Sequence, residues 1–293
     1  MERTAQHGQR LAGWLPGTAL SAVLGGEAGA GLAATAWVLV LALGLAVGSF
    51  LNVVIWRVPQ GLSVVRPPSA CPRCGGSIRA RDNVPVLSWL VLRGRCRDCH
   101  EPINLRYPAV ELATGLVFVG VVWRFLDEPT LAAVPAYWYV GAIGVALALI
   151  DVDTHRLPDA IVKPSYAVLA VLLCLATWAS GEPDALLRAC IGAGGLFLVY
   201  FLPTLVVPGS MGWGDVKLSG VLGAALAWLG WGTLAVGGFA AFLLGGAYAV
   251  VLLVSRRARR RSRLPFGPWM VLGAFVGVAV GEQAWAAYLG LAS

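Results

Sequence analysis

Two aspartates and four cysteines in this chain are placed where they could do chemistry. Asp151 lies in Ile150-Asp151-Val152-Asp153 and Asp215 in Gly212-Trp213-Gly214-Asp215, each where a long apolar stretch meets a short polar loop. An ionisable residue at a membrane boundary is costly, which makes it a functional residue by default. Two carboxylates at one depth on one face can divide labour. One stays ionised and takes a proton from water, while the other stays protonated and polarises a carbonyl. The cysteines form Cys71-Pro72-Arg73-Cys74 and Cys96-Arg97-Asp98-Cys99, with 21 residues between the pairs, close to zinc-ribbon spacing. Four thiolates close a tetrahedral site, so the metal, Zn2+, would be structural. Redox-active CxxC pairs are the competing reading, but a reducing compartment disfavours disulfides.

Read locally, the loops leave alternatives open. Asp151, Asp153 and Asp159 share one loop. Asp159 is well placed to N-cap the next helix. Asp153 could pair with His155 or Arg156, or bind a cation. Asp215 also sits where an N-cap would. Gly212 and Gly214 would let an extended peptide approach the backbone, or permit strained dihedrals around the carboxylate. Lys217 is expected to favour the ionised form of Asp215. Glu111, entering an apolar span, needs a partner; Arg106 is one, and a substrate amine or cofactor is another. Of the three histidines, none sits near a nucleophile motif, and His155 is at most a proton carrier. Cys174 and Cys190 read as small buried residues within spans.

These groups must be positioned by membrane helices. The chain has 293 residues, is 58% hydrophobic and only 13% charged, too apolar for one soluble domain. Its apolar runs reach the ~20 residues that cross a bilayer core. They are Leu32–Trp56, Ala109–Trp123, Leu131–Ile150, Ala160–Ala179, Leu186–Val207, Leu218–Leu229, Thr233–Val254 and Pro268–Leu291. The second and sixth are the shortest. The fold expected is an all-α polytopic membrane protein of about eight transmembrane helices, with a small zinc-ribbon-like cytoplasmic domain between spans one and two. The 37 glycines suit close helix contacts in lipid. The division is a leader (1–31), a first transmembrane helix (32–56), a tetracysteine domain (57–108) and a transmembrane core of about seven helices (109–293). The leader, with an apolar stretch at 11–24 broken by Pro16, reads as extracytoplasmic or interfacial.

Charge orients the spans. Residues 57–108 hold nine arginines and residues 255–264 hold six. The positive-inside rule places both segments in the cytoplasm, with an even number of spans between them. Acidic Asp127, Glu128, Glu182 and Asp184 fall in the opposite loops. Both termini are then extracytoplasmic, and Asp151 and Asp215 face the cytoplasm together. The net charge of +7 is accounted for by topology and the lipid surface, with no nucleic acid partner required.

Six segments, in order, resemble one family. They are Gly48-Ser49-Phe50-Leu51-Asn52-Val53-Val54, the two CxxC pairs, Tyr107-Pro108-Ala109-Val110-Glu111-Leu112, the Asp151 loop through Leu157-Pro158-Asp159, Gly212–Lys217, and Pro265-Phe266-Gly267-Pro268. From about Gly44 to Tyr288 the chain resembles the type IV prepilin peptidases, GxGD-type intramembrane aspartyl proteases. The resemblance implies catalysis by Asp151 and Asp215, and so selects Asp151 from its loop. It implies a bacterial cytoplasmic (inner) membrane protein with type IV prepilins and pseudopilins as substrates, cleaved on the cytoplasmic side. Many members also methylate the new N-terminus with S-adenosylmethionine. No nucleotide fingerprint accompanies that activity here, since the glycine-rich 25–31 stretch reads as a linker. The segment before span one is long for the family, and the stretch from Arg57 to Cys71 is short.

Two other classes compete. A non-catalytic membrane assembly factor would use the basic tetracysteine domain and the run Arg256–Arg263 for docking. A transporter would use the two aspartates as proton carriers, but no inverted repeat is detectable and the cysteines stay unexplained.

Overall fold

The computed structural model describes residues 27–126, 130–207, 211–256 and 264–292. Among these residues eight long helices carry the fold: α1 (Glu27–Arg57), α2 (Arg106–Arg124), α3 (Val134–Thr154), α4 (Asp159–Ser180), α5 (Pro183–Val206), α6 (Trp213–Leu229), α7 (Trp231–Val254) and α8 (Gly267–Ala292). They match the eight apolar runs one for one. Among the described residues no sheet forms. The only extended pairings among those residues are two isolated bridges, Ala70 with Ser77 and Arg95 with Pro102.

Seven of the eight helices are long and apolar enough to cross a membrane. The eighth, α6, has 17 residues, or about 26 Å of helix, the short limit for a span. Its position explains why that suffices. Val216, Leu218, Val221, Leu222, Ala225, Leu226 and Trp228 are all buried. They pack against α3, α4, α5, α7 and α8. A helix walled by other helices meets little lipid.

The bundle is built from three antiparallel pairs, each closed at small residues. Gly44 meets Gly115 and Gly48 meets Glu111, joining α1 to α2. Gly192 and Gly223 join α5 to α6. Gly273, Gly277 and Gly281 climb one face of α8 against Ala241, Gly237 and Thr233 of α7. The four-residue spacing brings small residues onto one stripe, so the backbones approach closely in lipid. A Cβ at Gly277 would lie 2.8 Å from the Cα of Gly237, an atom that cannot rotate aside. Gly277→Val is therefore expected to destabilise the protein by about 1–3 kcal/mol in a detergent unfolding assay. At Gly120 nothing lies within 4 Å, and Gly120→Val should be near neutral.

Some expectations change. Gly29 and Gly31 lie within α1 and are helical, not a linker. Glycine lowers helix propensity by only about 1 kcal/mol, which a long flanking apolar helix overrides. Cys174 and Cys190 are exposed, not buried. The 11–24 stretch, Asp127, Glu128 and residues 257–263 of the arginine run lie outside the described residues.

Candidate active site

Asp151 is on the last turn of α3, buried to 5% exposure. The helix ends at His155, whose φ of 53° turns the chain and whose N–H donates to the Asp151 carbonyl. The carboxylate itself is held from afar: Gly267 N–H donates to Asp151 Oδ2 at 2.9 Å. A Cβ at Gly267 would stand 2.9 Å from that same oxygen. Only glycine lets the backbone come this close without a shift.

Asp215 is the third residue of α6, and Gly212 takes the N-cap position, without a capping side chain. The Asp215 carboxylate turns back toward the Gly212 backbone, the reach expected of an acidic residue at N3. Gly212 has φ −73°, so no strained dihedral is involved. Gly214 serves close packing instead, since a Cβ there would lie 2.7 Å from Leu157 Cβ. Asp151 and Asp215 are near enough to interact electrostatically. Tyr200, fully buried between Phe242 and Phe266, is also within electrostatic reach of Asp215. One carboxylate closes a helix and the other opens one, so helix-dipole fields of opposite sign act on them.

The remaining predicted residues find other partners. Lys217 Nζ donates to Asp159 Oδ1 at 2.7 Å, tying α6 to α4 instead of pairing with Asp215. Asp159 also pairs with Lys163 at 2.7 Å. It is the first residue of α4, Pro158 being the N-cap. As the first helical residue it lies past the cap position, and its carboxylate is shared by Lys163 at i+4 and Lys217 of α6. Asp153 pairs not with His155 or Arg156 but with Arg106, at 2.6 and 2.9 Å, joining α3 to the start of α2. Arg106 is thereby unavailable to Glu111. Glu111, 9% exposed, accepts the Val86 N–H at 2.7 Å. Asn52 of α1 donates to the Tyr107 carbonyl nearby, at 3.1 Å.

The cysteines come together as the spacing predicts. Their four sulfur atoms all lie within 4.8 Å of one another, a group able to hold a metal ion. Cys71 Sγ and Cys99 Sγ are 3.8 Å apart, against an edge of about 3.8 Å for a tetrahedron with metal–sulfur bonds of ~2.3 Å. The two halves repeat one design. Cys71 N–H donates to Gly76 O and Gly75 N–H to Cys71 O; 25 positions on, Cys96 N–H donates to Glu101 O and His100 N–H to Cys96 O. Each turn needs a left-handed residue, supplied by Gly75 at φ 71° and His100 at φ 58°. His100 therefore has a backbone role and is not a fifth ligand in the group. The backbone N–H groups of Cys74 and Arg73 draw the Cys71 thiol down to about 7. At Cys99 the Glu101 amide pulls downward, but burial and the neighbouring sulfurs push the thiol up to about 12. One deprotonated sulfur thus opposes the next until a cation joins them.

Around the cluster Arg97 grips Asp82 through Nε and Nη2, at 2.6 to 3.0 Å. This hydrogen-bonded pair holds the Asp82 carboxyl below the usual carboxylate range. A depressed carboxylate stabilises the fold above its unfolded value and loses that contribution as pH falls through its folded one. Asp82→Asn is expected to remove this acid-sensitive part, flattening the acid limb of the domain's stability. Hydrogen exchange of residues 70–103 from pH 7 to pH 3 measures it.

Local reading missed the role of Gly267 and assigned Arg106 to the wrong carboxylate, Glu111 in place of Asp153. Gly267 lay inside a family-like segment, but nothing near it in sequence announces that it donates to a carboxylate 116 positions away.

The fold and site define a multi-pass helical membrane protein with two carboxylates, Asp151 and Asp215, within electrostatic reach of each other at the bundle end that carries the four cysteines. Two family models match it: the bacterial peptidase A24 N-terminal domain over residues 42–125, and the type IV leader peptidase family over residues 138–250. The first contains the cysteines and Glu111, the second Asp151 and Asp215. The chain is 37% identical to a prepilin leader peptidase/N-methyltransferase of Pseudomonas putida, over 85% of this chain and 92% of that protein. It is 36% identical to one of Stutzerimonas stutzeri over the same shares, and 38% identical to one of Burkholderia pseudomallei over 80% and 82%. No solved structure gives a significant match. The chain belongs to the type IV leader peptidase family.

Proposed function

We propose that this protein cleaves the leader peptides of type IV prepilins and pseudopilins at the cytoplasmic face of the bacterial inner membrane, and N-methylates the new N-terminus. What supports the peptidase reading is that Asp151 and Asp215, from two different helices, stand at one end of the bundle within electrostatic reach of each other. Water held between the two carboxylates loses a proton to one and attacks the scissile carbonyl, which the other protonates. Collapse of the tetrahedral adduct breaks the C–N bond. The proton goes to the leaving amine. The Gly267 N–H holds Asp151 Oδ2 and so fixes the orientation of the carboxyl group. Gly214 lets the Leu157 loop pack against the first turn of α6, and Gly212 leaves room for the Asp215 carboxylate to turn back over the backbone. Lys217, Asp159, Asp153 and Glu111 are positioning residues, joining α6 to α4, α3 to α2, and the Val86 loop to α2.

The division into a tetracysteine domain (57–108) and a membrane peptidase core (109–293) belongs to this reading. Cys71, Cys74, Cys96 and Cys99 would hold Zn2+, which supplies a structural cross-link and no reaction step. The relatives' names imply a methyl donor. The cavity lined by Val121, Tyr137, Val140, Leu222, Leu226 and Val278 does not suit one, being apolar with no carboxylate for a ribose or sulfonium. The Tyr137 hydroxyl is already spent on the Ala225 carbonyl. The arginine distribution supports the cytoplasmic orientation of the site and extracytoplasmic termini.

Mass spectrometry of a prepilin co-expressed with the protein tests both activities at once. Cleavage after the glycine that precedes the hydrophobic helix, with a mass gain of one methyl group on the mature N-terminus, is expected. An intact leader would overturn the peptidase reading, and a cleaved but unmethylated product would overturn the second activity alone.

A further inference from the structure

The four-cysteine domain leaves one apolar stripe uncovered. In the short helix Leu87–Val91, the side chains of Leu87, Leu90 and Val91 are 60%, 57% and 76% exposed. Their i, i+3, i+4 spacing puts them on one face. The other face is packed inward: the Trp89 indole N–H donates to the Ile103 carbonyl, and its ring covers Gly94.

Depth and charge both say what covers the stripe. Val86, just ahead of it, donates its N–H to Glu111. Glu111 is five residues into α2, about 7.5 Å along the axis of a membrane-spanning helix. The loop therefore reaches the level where that helix enters the bilayer. Leu105, Leu112 and Leu116, at the same end of α2, are exposed as lipid-facing residues are. On charge, Arg73, Arg79, Arg97 and Arg106 each have an acidic partner. Exposed Arg66, Arg81, Arg93 and Arg95 form no ion pair among the described residues, Arg81 having only a longer-range attraction to Asp82. An apolar stripe flanked by unpaired guanidinium groups complements an anionic headgroup layer over acyl chains.

We propose that Leu87–Val91 is an interfacial anchor. It lies in the headgroup–acyl boundary of the leaflet on its own side and, with the Val86–Glu111 bond, holds the four-cysteine domain down against the bundle. The anchor does not depend on the peptidase reading.

The full chain in nanodiscs of phosphatidylcholine and phosphatidylglycerol tests it. Val91 is replaced by a benzophenone amino acid, irradiated, and the adducts are identified by mass spectrometry. The same replacement at exposed Asn83 is the aqueous control. Lipid adducts are expected at position 91 and not at 83. Their yield should fall at least about threefold in Arg81→Gln/Arg93→Gln, or in pure phosphatidylcholine, because each arginine contributes on the order of 1 kcal/mol at an anionic surface. Hydrogen-exchange protection at Cys96 and His100 verifies that each variant keeps the domain folded. Adducts at 91 no more frequent than at 83, adducts to a second copy of the chain, or a yield indifferent to both arginines and lipid charge would each overturn the proposal.

Discussion

Asp151→Asn and Asp215→Asn are each expected to reduce prepilin cleavage by about 10³-fold, the scale of a lost acid–base group. Asparagine keeps the volume and can still accept the Gly267 N–H at position 151, so the bundle should stay folded. The double variant should be little worse than either single one, because groups that act as a unit are not additive. Asp153→Asn and Asp159→Asn provide the contrast. Both carboxylates are engaged in exposed ion pairs, with Arg106 and with Lys163 and Lys217, which contribute little each. Losses of less than about tenfold are expected there, at the scale of a ~1 kcal/mol exposed pair. Comparable losses at all four positions would remove the distinction between catalytic and positioning carboxylates. The assay is single-turnover cleavage of a prepilin in detergent, with circular dichroism to verify helix content.

Cys71→Ser should abolish the fold of the four-cysteine domain while α3 to α8 survive. The domain has isolated bridges and short turns in place of sheet or long helix, and the side chains around its cysteines are half-buried or exposed. Without a metal little remains to offset chain entropy, whereas a structural zinc site contributes an apparent ~10–16 kcal/mol. Amide protection at Gly75, Cys96 and His100, which donate within the two knuckles, is expected to fall by about 100-fold or more. Zinc content should drop from one per chain to none. A chelator at neutral pH should reproduce the effect in the wild-type protein. Unchanged protection in metal-free protein would show that the sulfur cluster is not the staple. Cys174→Ala and Cys190→Ala, both at exposed helix positions, should change neither quantity.

Much of this was legible in the order of residues. Eight apolar runs became eight helices because only a helix satisfies its backbone within a bilayer. Even α6 was visible as the shortest run, although only packing shows why 17 residues are enough. The cysteine spacing was equally informative, since each CxxC turn is local and the two turns repeat one hydrogen-bond pattern. Local reading failed where partners come from distant helices. Lys217, two residues from Asp215, binds Asp159 of α4. Asp153 passes over its neighbours His155 and Arg156 for Arg106. Adjacency in sequence says little about ion pairs once a helix turns successive side chains by 100°.

The sequence by itself determined that this is a helical membrane protein, that it carries a metal-capable cysteine tetrad, and that its two aspartates stand at span ends of matching parity. Hydrophobic length, ligand spacing and charge asymmetry are properties of short segments, so they can be read without coordinates. Tertiary structure alone decided that Asp151 and Asp215 come within electrostatic reach of each other, that Gly267 holds one of them, and which carboxylates are spent on arginine and lysine. Those facts depend on how α2, α3, α4, α6 and α8 pack, and packing brings together residues 47 to 116 positions apart.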